Sequence, residues 1–184
     1  MGNRLFVSVD CENNQIRERI EELQQEIAPL GVHNLEDLEK LHLTLGFIGN
    51  VSDRIKYNIK KDLEGIEMNP FSVPVKNVGV FPKLDYIKII WAGCESGNIV
   101  DLHRIVQENL PKEYRSEKEF HPHITISRLK SINKKEKTKL KNIIKKHENK
   151  DFGKLKVNGF RLKESILKKD GAVHRTIKKY EFHS

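Results

Sequence analysis

Cysteine is nearly absent from the chain. Cys11 and Cys94 stand alone without CxxC spacing, which excludes a disulfide framework or a cysteine-built zinc site. No run of about 18 apolar residues occurs, so no helix is expected to span a membrane. The opening MGNRLFVSVD places only a short apolar stretch before an acidic residue, and reads as a first strand and not as a secretion signal. Linkers and low-complexity tracts are missing, so 184 residues read as one domain or one compact two-lobed unit. Acidic residues are in the minority: 26 Asp and Glu face 34 Lys and Arg, a formal net charge of +8 with a pI near 9.4. That balance favours a polyanion such as nucleic acid as partner and excludes nothing about fold. Reduced thiols and no span make a cytoplasmic location the expectation, with no membrane association and no obligate protein partner.

Hydrophobic residues are sufficient for a core, at 37% of the chain. Residues 5–9 are apolar and β-rich, and residues 10–13 bring turn and cap chemistry. Ile16, Ile20, Leu23 and Ile27 then recur at helical spacing until Pro29 and Gly31. Residues 41–48 (LHLTLGFI) predict a strand, residues from 52 a helix carrying Ile55, Ile59 and Leu63, and Phe71, Val73 and Val75 a further strand. The order then repeats. A strand is predicted at 86–92, a helix with Ile99, Leu102, Ile105 and Val106, a strand at 120–129 (FHPHITISRL), a lysine-rich helix at 134–147 and a strand at 152–160. Residues 176–182 add one more. A shift of 81 residues superposes the two β-α-β-α-β series, so the repeat falls at about 1–81 and 82–184. The fold class expected is α+β: two similar lobes, each an antiparallel sheet with helices, around a central cleft.

One motif survives the duplication. His42-Leu43-Thr44-Leu45 returns as His123-Ile124-Thr125-Ile126. Side chains two apart on a strand share a face, so each His and Thr point one way while Leu43, Leu45, Ile124 and Ile126 pack inward. A pseudo-two-fold axis would turn both polar pairs into one cleft. Two imidazoles titrating near neutrality can divide the work of a displacement at phosphorus, one taking a proton and one giving it. The threonine hydroxyls would hold non-bridging phosphate oxygens. By the same alternation Gly46 stays in phase with His42, whereas Arg128 falls opposite His123. His121 and His123 form an HxH pair, but no Asp, Glu or third His completes a set at usual spacing, and no metal or cofactor is expected. His33, His103, His147, His174 and His183 read as surface or terminal. Phe81, Tyr86, Trp91 and Phe120 are candidates for base contacts or core. The lysines between 130 and 150 read first as a solvated helix face and second as an electrostatic rim guiding a nucleic acid into the cleft.

Nearly end to end, these pieces resemble the 2H phosphoesterases, and among them the RNA 2′,3′-cyclic phosphodiesterases, also called 2′-5′ RNA ligase-like proteins. RLFVSVD resembles that family's opening strand, LHLTLGFIG its first motif, VGVFPKLDYIKIIWAG its middle hairpin and FHPHITISRLK its second motif. FRLKESIL resembles its late strand ending in Ser-x-Leu. The resemblance implies two motifs facing across a cleft without a metal, His42 as proton donor and His123 as proton acceptor. It matches Arg128 to an arginine that assists phosphate binding. The implied substrate is RNA with a 2′,3′-cyclic phosphate end, hydrolysed to a 2′-phosphate. Joining that end to a 5′-hydroxyl needs the same two histidines, and a non-catalytic RNA-binding module is the other alternative.

Overall fold

The computed structural model describes residues 3–32, 34–130, 132–168 and 171–183, so His33 lies outside the described residues. Strands and helices alternate as the apolar spacing requires. They are β1 (Asn3–Asp10), α1 (Asn14–Ile27), β2 (His42–Val51), α2 (Asp53–Asp62), β3 (Phe71–Lys83), β4 (Tyr86–Gly93), α3 (Gly97–Asn109), β5 (His123–Arg128), α4 (Lys134–Lys146), β6 (Asp151–Val157), β7 (Gly159–Lys168) and β8 (Gly171–Glu181). Each helix opens on a side chain that accepts a backbone N–H: Asn13, Ser52, Ser96 and Asn133. Such a cap is worth about 1 kcal/mol. Helix α1 stops where Pro29 and Gly31 stand, through a short 3-10 turn that Gly31 closes at φ 79°. The stripe Ile16, Ile20, Leu23 and Ile27 is fully buried. Among the described residues no helix is long and apolar enough to cross a membrane.

The stretch 152–160, expected as a single strand, is cut in two. Strand β6 ends at Val157 and the chain re-enters the sheet at Gly159, where a Cβ would lie 2.1 Å from the Tyr180 carbonyl oxygen. Strand β8 also begins earlier than the pattern at 176–182 suggested, because it pairs with β7 along its whole length.

All strands join one antiparallel sheet curled into a half-barrel, in the order β6-β3-β4-β5-β2-β1-β7-β8. Strands β2 and β5 meet at its centre through the Leu43–Ile124 bridge, on which the pseudo-two-fold axis lies. On either side stand β1, β7 and β8, or β4, β3 and β6. The two lobes therefore do not coincide with the two sequence repeats. The third strand of the first repeat, β3, pairs with β4 and β6, while β7 and β8 return to β1. Helix α1 lies behind β5 and β6, α4 lies beside it behind β3, and α3 lies behind β2. The helices cover the face that Leu43, Leu45, Ile124 and Ile126 present, all at most 1% exposed. The opposite face is left to the histidines.

Candidate active site

Alternation delivers the first four candidates as expected. Leu43 and Ile124 face each other across the central strands and are buried. Antiparallel pairing about that bridge brings His42 alongside Thr125 and Thr44 alongside His123, all on the other face. The two histidines are held alike. His42 Nδ1 lies 2.8 Å from the Lys40 carbonyl oxygen, and His123 Nδ1 lies 2.6 Å from the His121 carbonyl oxygen. A carbonyl only accepts, so each Nδ1 donates and each Nε2 is left for the cleft.

Alternation fails immediately after each motif, in the same way. Ser8 pairs with Thr44 and Val7 with Gly46, so Leu45 is an unpaired bulge. Trp91 pairs with Thr125 and Ile90 with Ser127, which makes Ile126 the matching bulge. An extra residue reverses the phase of everything after it. Gly46 is therefore not in phase with His42; Phe47 takes that face, and Gly46 is buried beside the Gln107 amide. Arg128 likewise turns onto the face of His123, contrary to strict alternation, where its Nε donates to Glu36 at 2.9 Å. The bulged carbonyls are capped across the axis. Gln107 of α3 donates to the Leu45 oxygen at 3.3 Å, and Gln24 of α1 donates to the Ile126 oxygen at 3.1 Å. The Leu45 oxygen also has His103 Nδ1 at 2.7 Å, and the Ile126 oxygen accepts from Glu36 N at 3.0 Å.

The surroundings of the two histidines differ. Beside His42 lie the Phe6 ring at 5.5 Å and the His174 ring at 5.7 Å, centroid to centroid. Opposite it on β1 is Asp10, which takes Lys163 at 2.5 Å and also Arg161. Beside His123 lie Phe81 at 5.1 Å and Trp91 at 6.1 Å. Trp91 lies so close over Gly79 that a Cβ there would sit 2.1 Å from the indole. Desolvation lowers both histidines below the ordinary imidazole value, and the carbonyl bonds oppose it. The remaining charges then separate them. His42 feels Lys163 pulling down but Asp10 and Glu36 pulling up, whereas His123 feels only cations: Arg128, His121 and His42.

Sequence reading missed two residues here. His174, read as surface, is carried to His42 by β8. Burial and then the charge of His42 push it down to about 4, and its Nδ1 is buried without a partner. His103 stacks on Phe120 at 3.8 Å and, with Phe47, Phe81, Thr44 and His123, lines a cavity of about 240 Å³. Neither carries a local signal, because strand pairing and a helix from the other lobe bring them in. Of the aromatic candidates, Phe81 and Phe120 reach this cavity and Tyr86 does not. His121 turns to Glu119 at 3.5 Å, and among the described residues no set of three His, Cys, Asp or Glu side chains gathers as a metal site. The lysine-rich helix α4 sits in the layer behind the sheet, where Lys146 and His147 hold Glu26 of α1.

Residues 5–182 match the family described as the AKAP7 2′5′ RNA ligase-like domain. The chain belongs to the 2H phosphoesterases. Among the relatives of this 2H phosphoesterase is an RNA 2′,3′-cyclic phosphodiesterase of Methanocaldococcus jannaschii, 33% identical over 179 residues, covering 96% of this chain and 99% of that one. Another, of Archaeoglobus fulgidus, is 32% identical over 180 residues, covering 97% and 99%. The crystal structure of E. coli LigT complexed with 3′-AMP superposes with a TM-score of 0.78 at 20% identity, over 100% of each chain, and shows that the fold is shared.

Proposed function

We propose that this 2H phosphoesterase hydrolyses the 2′,3′-cyclic phosphate at the end of an RNA and leaves a 2′-phosphate. The reading is carried by one observation: two His-Thr pairs stand in antiparallel register about the Leu43–Ile124 bridge, each histidine with Nδ1 engaged and Nε2 free. The names of the relatives at 33% and 32% identity support the substrate. His123 takes a proton from water as its oxygen bonds to phosphorus, and His42 gives a proton to O3′ as the P–O3′ bond breaks. In-line displacement puts base and acid on opposite sides of phosphorus, as two histidines related by a two-fold axis do.

Electrostatics support the division of roles. The acid must carry its proton, and Asp10 and Glu36 favour the cation at His42. The base must be neutral, and Arg128 and His121 disfavour the cation at His123. Thr44 and Thr125 donate to the non-bridging oxygens, where charge grows in the transition state. Arg128 adds positive charge to the same face while Glu36 orients it.

An RNA ending in a 2′,3′-cyclic phosphate, incubated in EDTA, tests the reading. The ring should open, and a phosphatase that removes only 3′-phosphates should fail on the product. A closed ring would overturn the two-histidine hydrolysis. A 3′-phosphate product would overturn the placing of His42 at O3′. Joining to an added RNA with a 5′-hydroxyl, in preference to hydrolysis, would replace this function by ligation.

A further inference from the structure

Because the strand order extends on both sides of the central β2–β5 pair, the sheet offers the RNA two ends by which to leave the cleft, and the two can be compared. Beyond Arg128 the chain runs into Leu129 and Lys130, at the edge of a second cavity of about 260 Å³ between the β3–β4 hairpin and α4. Leu129 and Leu140 lie on its floor, and Tyr86, Lys88, Lys130 and Lys137 ring it. Tyr86 is 55% exposed, with Lys88 Nζ 5.0 Å from its ring centroid. Among the described residues none of Lys88, Lys130 and Lys137 is in an ion pair, and the nearby carboxylate of Asp85 is taken by Lys141 at 2.5 Å. The same positions of the first repeat, 81 residues earlier, hold Leu5, Val7, Ile48, Gly49, Lys56 and Ile59. Lys56 there is neutralised by Glu164 at 3.8 Å. Among the described residues the Phe47 end also has an exposed ring beside a lysine outside any ion pair, Lys118, but it offers one such lysine where this groove offers three. That combination suits a single-stranded nucleic acid, phosphates on the lysines and a base on the ring.

We propose that this groove binds a nucleotide of the RNA strand upstream of the end held in the cleft, so that the strand leaves past Arg128. The inference rests on the reading of the cleft as an RNA 2′,3′-cyclic phosphodiesterase site. The groove opens on the helix side of the sheet, so the strand turns round the end of β5 beyond Arg128; at a rise of about 3.3 Å per residue the run from His123 to Lys130 is about 23 Å, which places the groove several nucleotides from the reacting phosphate.

The test is fluorescence anisotropy with a short single-stranded RNA ending in a 3′-hydroxyl, titrated at several salt concentrations. Tyr86→Ala, and separately the triple change Lys88→Gln, Lys130→Gln and Lys137→Gln, should each weaken binding by about 10-fold. The triple change should also lower the salt slope by about two, at roughly 0.7 per phosphate contact. Both variants should open a small cyclic mononucleotide at the normal rate. Lys135→Gln, Lys139→Gln and Lys145→Gln remove the same charge from elsewhere on α4 and should change neither affinity nor slope. Equal weakening by that control, or an unchanged slope in the groove variant, would overturn the proposal. So would normal RNA binding by Tyr86→Ala together with full competition by heparin, which has no bases. Because the probe carries no cyclic phosphate, failure to hydrolyse RNA counts against the activity alone and leaves the binding result to decide the groove.

Discussion

The His42 half and the His123 half of the cleft share a backbone and little else. In both, a histidine donates Nδ1 to the carbonyl two residues earlier, and a bulge follows the threonine. In both, a buried glutamine from the opposite repeat's helix caps the bulged carbonyl. The side chains around that frame have diverged. Asp10, Arg161 and Lys163 make a charged network beside His42, where Gly93, Gly79, Phe81 and Trp91 surround His123. Phe47 on one bulged strand answers to Arg128 on the other. A duplicated frame delivers two equivalent histidines, whereas the displacement at phosphorus proposed above needs two unlike ones. Divergence of the neighbours, with the strands left alone, is what makes the copies unequal.

The comparison breaks most sharply at the histidines. His42→Ala and His123→Ala should each lower turnover by about 10²–10⁴-fold, with the double variant little worse than either single one. The copies should nevertheless fail differently in pH. Loss of the base should remove the acid limb of kcat/KM, and loss of the acid should remove the alkaline limb. Identical profiles for the two variants would show that the roles are not divided between them.

The shared frame is tested by the glutamines. Gln24→Leu and Gln107→Leu each remove one of two partners of a bulged carbonyl, the other being Glu36 N or His103 Nδ1, at a cost of about 0.5–1.5 kcal/mol in stability. The two losses, read from denaturant midpoints, should be similar. A large loss at one and none at the other would show that the bulges are held by different means.

The smallest effects are shifts of the pH limbs, and their signs are opposite. Both histidines already lie below the ordinary imidazole value, so the optimum of kcat/KM should fall on the acid side of about 6.5. Asp10→Asn removes a carboxylate that favours the His42 cation, so the alkaline limb should move to lower pH. Arg128→Gln removes a cation that opposes protonation of His123, so the acid limb should move to higher pH. A pH–rate series on both variants measures this. Movement of the same limb in both would contradict the division of charges.

Much of the site was legible in the chain because its information is local. Helical spacing at Ile16, Ile20, Leu23 and Ile27, alternation through His42 to Leu45 and through His123 to Ile126, and their repetition at 81 residues name the elements and the four central side chains. They also carry the resemblance to the 2H phosphoesterases. What lay beyond local reading depends on partners far along the chain. The bulges that exchange Gly46 for Phe47, and that turn Arg128 to the cleft, are supported by Gln107 and Gln24 from another repeat's helix. His174 stands by His42 only because β8 folds back on β7, and β7 on β1. The sequence alone determined which strands carry the two His-Thr pairs, since periodicity acts between neighbours in the chain. Tertiary structure decided which charges surround each histidine, and so what tells the two apart in the proposed division of roles, because those neighbours come from strands that pair across the whole chain.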